Sequence, residues 1–143
     1  MLEGSCLCGQ VRYALAGGAQ FINHCHCSMC RKAHGAAFGS FVHAAGRGFQ
    51  WLSGQALVTQ FQSSPDSLRA FCSVCGSNLP VLEDDGRHVI IPAGGLDGDP
   101  GLRPAVHIHV ASMAPWHRIG DDLPQFADDA PDEFWRRLCA DPD

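Results

Sequence analysis

Seven cysteines fall in three tight groups, and no other feature of the sequence constrains the fold as strongly: Cys6-Leu7-Cys8, Cys25-His26-Cys27-Ser28-Met29-Cys30 and Cys72-Ser73-Val74-Cys75. Two intervening residues cannot carry the chain far, so a C-x-x-C turn wraps both sulfurs around one point. The additional C-x-C sulfur of the middle group reaches that point only if the chain is extended there. Three thiolates from one short segment leave a tetrahedral metal one ligand short, which is what a catalytic or exchangeable zinc site requires. The plainer readings are half of a structural zinc ribbon, or a core strand with buried free thiols. A lone C-x-x-C favours those. A triple with a cysteine pair before and after it favours metal.

The rest of the composition supports metal over disulfides. Met1-Leu2-Glu3-Gly4 has neither the basic nor the apolar region of a signal peptide. No apolar run approaches the length of a membrane span. The chain is therefore expected to be cytoplasmic, where thiols stay reduced. Its 143 residues suit one domain. Ten basic against fifteen acidic residues give a net charge of −5, which argues against a nucleic-acid surface held by charge.

Along the chain, glycine follows the second thiol in both Cys6-Leu7-Cys8-Gly9 and Cys72-Ser73-Val74-Cys75-Gly76. There it can take positive φ and turn backbone N–H groups toward sulfur. Val11, Tyr13 and Leu15 alternate with Arg12 and Ala14, predicting a strand with one buried face. Residues 21–27 read as extended, and 28–34 as a helical turn ended by Gly35. Strands are expected at 37–42, 49–52, 56–61 and 88–92. Residues 63–67 read as a loop, and Asp84-Asp85-Gly86 as a hairpin turn. Val106-His107-Ile108-His109-Val110 alternates, with both histidines on one face, and 116–119 reads as an edge strand. Pro131 to Ala140 predicts a helix, with Asp128 or Asp129 as its cap and Phe134, Trp135, Leu138 and Cys139 on its apolar face. Cys139 is expected to be a buried core thiol. Many short strands and one terminal helix predict a mainly β fold with small antiparallel sheets.

Four plus three is the natural division of the seven clustered cysteines. Cys6, Cys8, Cys72 and Cys75 would form a closed site, and Cys25, Cys27 and Cys30 an open one. Spacing alone leaves open an ordinary ribbon built from Cys27, Cys30, Cys72 and Cys75.

The segments G-S-C-L-C-G-Q-V-R-Y, C-H-C-S-M-C-R-K-A-H-G-A-A-F and F-C-S-V-C-G-S-N-L, with the later H-I-H-V and A-P-W, resemble the glutathione-dependent formaldehyde-activating enzyme family, which includes centromere protein V. The resemblance runs from about Gly4 to Phe126. It implies a β-tent-like zinc-binding fold: residues 1–126 as the catalytic domain and 127–143 as a C-terminal helical extension. It also implies the four-plus-three division: a structural zinc on Cys6, Cys8, Cys72 and Cys75, and a catalytic zinc on Cys25, Cys27 and Cys30. The implied activity is that of a carbon–sulfur lyase or S-hydroxymethylglutathione synthase, with glutathione as co-substrate. The expected partners are a small thiol and an aldehyde, with no nucleic acid and no membrane.

The chemistry of the donors agrees. Zinc held by three thiolates carries a net negative charge and activates water weakly, whereas a soft external thiol suits it as a fourth ligand and is deprotonated on binding. Glutathione carries two carboxylates, so cations are expected near the site. Arg31 and Lys32, directly after Cys30, are the nearest, and Arg69 and Arg12 are weaker candidates. His24 and His26 either line the site or face solvent, and His107 and His109 are read as a plain strand face. A non-catalytic double zinc knuckle and a thiol redox or metal sensor are the competing functions.

Overall fold

A computed structural model of the chain describes residues 1–139. The first half comprises β1 (Leu2–Ser5), β2 (Arg12–Leu15), β3 (Ala19–Cys25), α1 (Ser28–His34), β4 (Gly39–Ala45), β5 (Phe49–Ser53) and β6 (Val58–Ser64). The second comprises β7 (Ser67–Cys72), β8 (Asn78–Leu79), β9 (Val81–Glu83), β10 (His88–Pro92), β11 (Val106–Ile108) and α2 (Asp132–Cys139). The strands form three small sheets, ordered β1-β2-β5, β11-β3-β4-β10-β9 and β6-β7-β8. The fold is mainly β, as expected, and all but one of the pairings are antiparallel. The exception is β11, which lies parallel to β3 with Val106 opposite Asn23 and Ile108 opposite Cys25.

The main core is built from β2, β3, β4, β8 and β10, with Tyr13, Leu15, Ile22, Val42, Leu79, Val89 and Ile91 buried together. Cys6 and Cys72 are part of this cluster. A second cluster holds Cys25, Cys30, Val106, Ile108 and Ala130, and Phe126, Phe134, Trp135 and Leu138 pack against it. Each cysteine group is thus set beside its own apolar cluster. Removing a side chain of Leu or Phe size from water contributes roughly 1.5–3 kcal/mol, so both clusters stiffen the segments that carry the thiols.

Several expectations are corrected. Ala14 is buried along with Tyr13 and Leu15, so both faces of β2 are covered. Ala14 sits in the middle strand of its sheet, opposite Glu3 on one side and Gln50 on the other, whose longer side chains stand on the same face. The segment read as a loop at 63–67 is a tight reversal between β6 and β7. The run from Val106 to Val110 is not one strand. It stops at Ile108 because His109 takes φ 56° and starts a 3-10 turn, so His107 and His109 do not share a strand face. Residues 116–119 form no strand: Pro115 precedes them, and the His117 N–H donates to the Ala114 carbonyl in a turn. The terminal helix starts after Pro131 and is described as far as Cys139; Ala140 lies outside the described residues. Cys139 is exposed rather than a core thiol, because the helix docks through Phe134, Trp135 and Leu138.

Candidate functional site

Each cysteine group is brought together by a different local device. Around the first, Gly9 and Gly76 both take positive φ, at 79° and 77°. Their N–H groups donate to the Cys6 and Cys72 carbonyls at 3.0 and 2.8 Å, closing two knuckle turns. The Sγ atoms of Cys6, Cys8, Cys72 and Cys75 all lie within 4.8 Å of one another. Tetrahedral zinc with bonds of about 2.3 Å needs sulfurs about 3.8 Å apart, and the Cys6–Cys8 and Cys8–Cys72 separations are 3.5 and 3.9 Å. The donor set therefore fits zinc. Its negative charge is offset by the Val11 N–H, 3.3 Å from Cys6 Sγ, and by Gln10 Nε2, 3.7 Å from Cys8 Sγ. Ser77 Oγ lies 3.3 Å from Cys75 Sγ. That contact holds the Cys75 thiol down at about 5.

The second group sits where β3 turns into α1. Cys25 ends the strand, Cys27 is the N-cap of the helix, and Cys30 is in its first turn. Cys27 Sγ accepts the Cys30 N–H at 3.3 Å, so a metal-type sulfur takes the place of a capping oxygen. Gly35, at φ 59°, ends the helix as expected. The three Sγ atoms lie within 4.8 Å of one another, and no other Cys, His or carboxylate among the described residues joins them. Hydrogen bonding to Cys25 and then to Arg69 holds Cys30 down at about 5, against burial, which pushes it up. The same pairing with Cys30, together with burial, pushes Cys25 up. One proton is thus withheld by Cys25 while Cys30 is a thiolate, a donor set suited to a soft cation.

A cleft of about 390 Å³ opens beside Cys25 and Cys30, between one face of the five-stranded sheet and β7. Strand alternation sends Asn23 and Cys25 of β3, Phe41 and His43 of β4, and Ile90 and Pro92 of β10 into it. Arg69 reaches over from β7 and donates from Nη2 to Cys30 Sγ at 3.5 Å, while its Nε donates to Ser63 Oγ at 3.2 Å. Of the basic residues named from the sequence, Arg69 lines the cleft and Arg31, Lys32 and Arg12 do not. Arg31 and Lys32 lie on α1 beyond Cys30, Arg31 half-buried with its Nε without a hydrogen-bond partner and Lys32 exposed. On the far wall of the cleft His43 is locked between Asn23 Oδ1 at 2.7 Å and His88 Nε2 at 2.9 Å. Burial, then the neighbouring His88, pushes His43 down to about 3.

The histidines around Cys25 do not face solvent. His26 is fully buried and His24 half-buried. With His107, His117 and Phe38 they form a layer of tilted and edge-on rings on the side of β3 away from the cleft. His26 Nε2 is 2.8 Å from His107 Nδ1, and His107 Nε2 is 3.0 Å from Asp121 Oδ2. The Asp121 carboxylate only accepts, so with neutral rings His107 donates from Nε2 and accepts at Nδ1 from His26. His26 Nδ1 is left as an acceptor, buried and without a partner. Burial, then His107, pushes His24 and His26 down to about 4, so both rings are neutral at pH 7. Asn23, two residues before Cys25 on β3, and His34, four residues after Cys30 on α1, follow from strand and helix periodicity, whereas nothing local marks Asp121, which reaches His107 by tertiary contact alone.

Comparison with known proteins agrees with this geometry. A solved structure of a Rhodobacter sphaeroides protein superposes with a TM-score of 0.55 at 22% identity, covering 68% of this chain and 89% of that one, which places the fold. A Halomonas elongata protein whose name carries the words glutathione-dependent formaldehyde-activating enzyme is 31% identical over 128 residues, 83% of this chain and 81% of its own length. The model of the family described as "Glutathione-dependent formaldehyde-activating enzyme" matches residues 1–112, a span that contains all seven clustered cysteines. The chain belongs to the glutathione-dependent formaldehyde-activating enzyme family.

Proposed function

We propose that this chain is a carbon–sulfur lyase of the S-hydroxymethylglutathione synthase type, making and breaking the bond between a thiol sulfur and an aldehyde carbon. Cys6, Cys8, Cys72 and Cys75 hold a structural zinc. Cys25, Cys27 and Cys30 hold a second zinc at the catalytic site. The supporting observation is a group of three convergent cysteine sulfurs with no fourth protein ligand among the described residues; two of the three cysteines, Cys25 and Cys30, line a cleft large enough for an organic substrate. When bound there, the metal would keep an incoming thiol deprotonated near neutral pH.

The chain's own residues do the rest. Cys27 fixes the start of α1 and with it the position of Cys30. Arg69 supplies positive charge beside the thiolates and so favours a second, incoming sulfur anion. Arg31 and Lys32, directly after Cys30 on α1 and outside the cleft lining, are the proposed partners of the glutathione carboxylates. In the forward direction the thiolate sulfur bonds to the aldehyde carbon, the carbonyl π pair moves to oxygen, and that oxygen takes a proton. The reverse returns the C–S pair to sulfur and releases the proton. Residues 1–126 constitute the zinc-binding catalytic domain in this reading, and 127–143 the helical extension. No helix among the described residues is long and apolar enough to cross a membrane, and the proposed location is the cytoplasm.

Formaldehyde and glutathione combine without an enzyme, so the test is a rate. Exchange NMR of S-hydroxymethylglutathione should show acceleration by the wild type and none by Cys27→Ser, with glutathione binding lost in the same variant. Equal exchange rates, together with no glutathione binding by calorimetry, would remove the assignment.

A further inference from the structure

The cleft is much larger than the hydroxymethyl group of a formaldehyde adduct, which has two heavy atoms, and at about 390 Å³ it falls in the range of sites that bury whole small organic ligands. Large apolar side chains, Phe41, Leu68, Leu79, Val81, Ile90 and Ile108, make up much of its wall, interspersed with neutral polar groups such as Asn23, Asn78 and His43. Leu68 is 41% exposed, a large apolar side chain left unpaired at the edge of the opening.

The charged groups are arranged against a peptide carboxylate. Arg69 is the only lysine or arginine lining the cleft, and it is already engaged with Cys30 and Ser63. Two acids, Glu83 and Asp129, line the same space. Glu83 lies far from the cysteines: β3, β4, β10 and β9 separate Cys25 from it by three strand spacings of about 4.8 Å each. A tripeptide with two carboxylates laid into this cleft would find one guanidinium for both and no second lysine or arginine, while the two acids repel them, a costly burial. Arg31 and Lys32, on α1 and outside the cleft lining, are the partners proposed above for the charges of the peptide.

We infer that the cleft receives the carbon substituent of the aldehyde rather than the thiol peptide, so that the preferred substrates are thiol adducts of apolar aldehydes, aryl or alkyl, larger than formaldehyde. This inference rests on the thiol–aldehyde reading above and narrows its substrate class. The bond change is the same one: breakdown returns the C–S pair to sulfur, turns the hydroxyl-bearing carbon into a carbonyl and releases one proton. No oxidant or further reactant is needed.

Two inert thioethers, S-methylglutathione and S-benzylglutathione, carry the small and the large substituent at the sulfur position. Calorimetry with the zinc-loaded protein should show the benzyl compound binding at least about tenfold tighter, the gain expected for moving a phenyl ring from water into an apolar cleft. In the same preparation, exchange NMR should show a larger acceleration over background for the glutathione adduct of phenylacetaldehyde than for that of formaldehyde. Leu68→Trp, a change at the exposed edge, should reduce the benzyl-to-methyl affinity ratio several-fold. Equal affinities for the two thioethers, with formaldehyde exchange accelerated, would overturn the inference and leave the enzyme assignment standing. No binding of either thioether and no acceleration with either aldehyde would overturn both.

Discussion

Replacing Arg69 with methionine keeps most of the stem that packs against the cleft and removes the one arginine or lysine among the described residues that hydrogen-bonds to the cysteine triad. In the native protein its guanidinium donates to Cys30 Sγ at 3.5 Å from a half-buried position. A hydrogen bond to a charged group at such a site stabilises that charge by about 1.5–3 kcal/mol. At about 1.4 kcal/mol per pKa unit, its loss should raise the Cys30 thiol by roughly one to two units. The wild-type value of about 5 then becomes about 6–7. The measurement is the pH dependence of alkylation at Cys30, read by mass spectrometry after the labile metal has been removed by mild chelation while the closed four-cysteine site keeps its own. Arg69→Lys, which retains the charge but not the planar fork, should fall between the two. An unchanged midpoint in Arg69→Met, or a wild-type midpoint near that of an ordinary thiol, would refute the role given to this residue.

Elemental analysis should find two zinc ions in the purified protein and one after mild chelation, because in the proposed division four cysteines would enclose the first ion and three the second; a single tightly held ion would rule out the division. Cys75→Ser should lower the thermal midpoint by many degrees, and Cys27→Ser should lose the labile zinc with little change in that midpoint. Gly4→Ala should destabilise by more than about 2 kcal/mol, because a Cβ there would lie 2.3 Å from the fully buried Tyr13 ring, which chemical denaturation checks directly. His43 stays neutral in the fold, at about 3 against its ordinary 6.5. Its contribution is therefore complete above pH 6.5 and lost as pH falls toward 3, with about 2 kcal/mol gone between pH 7 and pH 5. The stability of His43→Gln should drop less over that interval than the wild type, a difference that cancels any common effect of zinc release.

What could be read from the sequence follows the range of the interactions involved. The knuckles around Gly9 and Gly76, the helical turn from Ser28 closed by Gly35, and the turn at Asp84-Asp85 are set within a few residues, so spacing and residue type reveal them. The division of the cysteines was favoured but not compelled by spacing, since its closed group spans residues 6 to 75. Arg69 was a weak candidate because it reaches Cys30 across 39 positions, and strand pairing, not local pattern, delivers it. The alternation from Val106 to Val110 suggested a longer strand because period two is blind to a single left-handed residue, here His109. His24 and His26 could not be placed because nothing local signals the layer formed by Phe38, His107 and His117.

Strand β7 carries Arg69 near its middle and Cys72 at its end. The same six-residue rod that is clipped into the four-cysteine centre therefore holds the guanidinium against the three-cysteine centre. The two centres act in series, like a clamp and the tool it steadies. Slackening at the first is transmitted as misalignment at the second before any thiol of the triad is itself disturbed. On slow heating or partial metal starvation, the proposed function should thus fail ahead of global unfolding, and it should fail first from the four-cysteine end of β7.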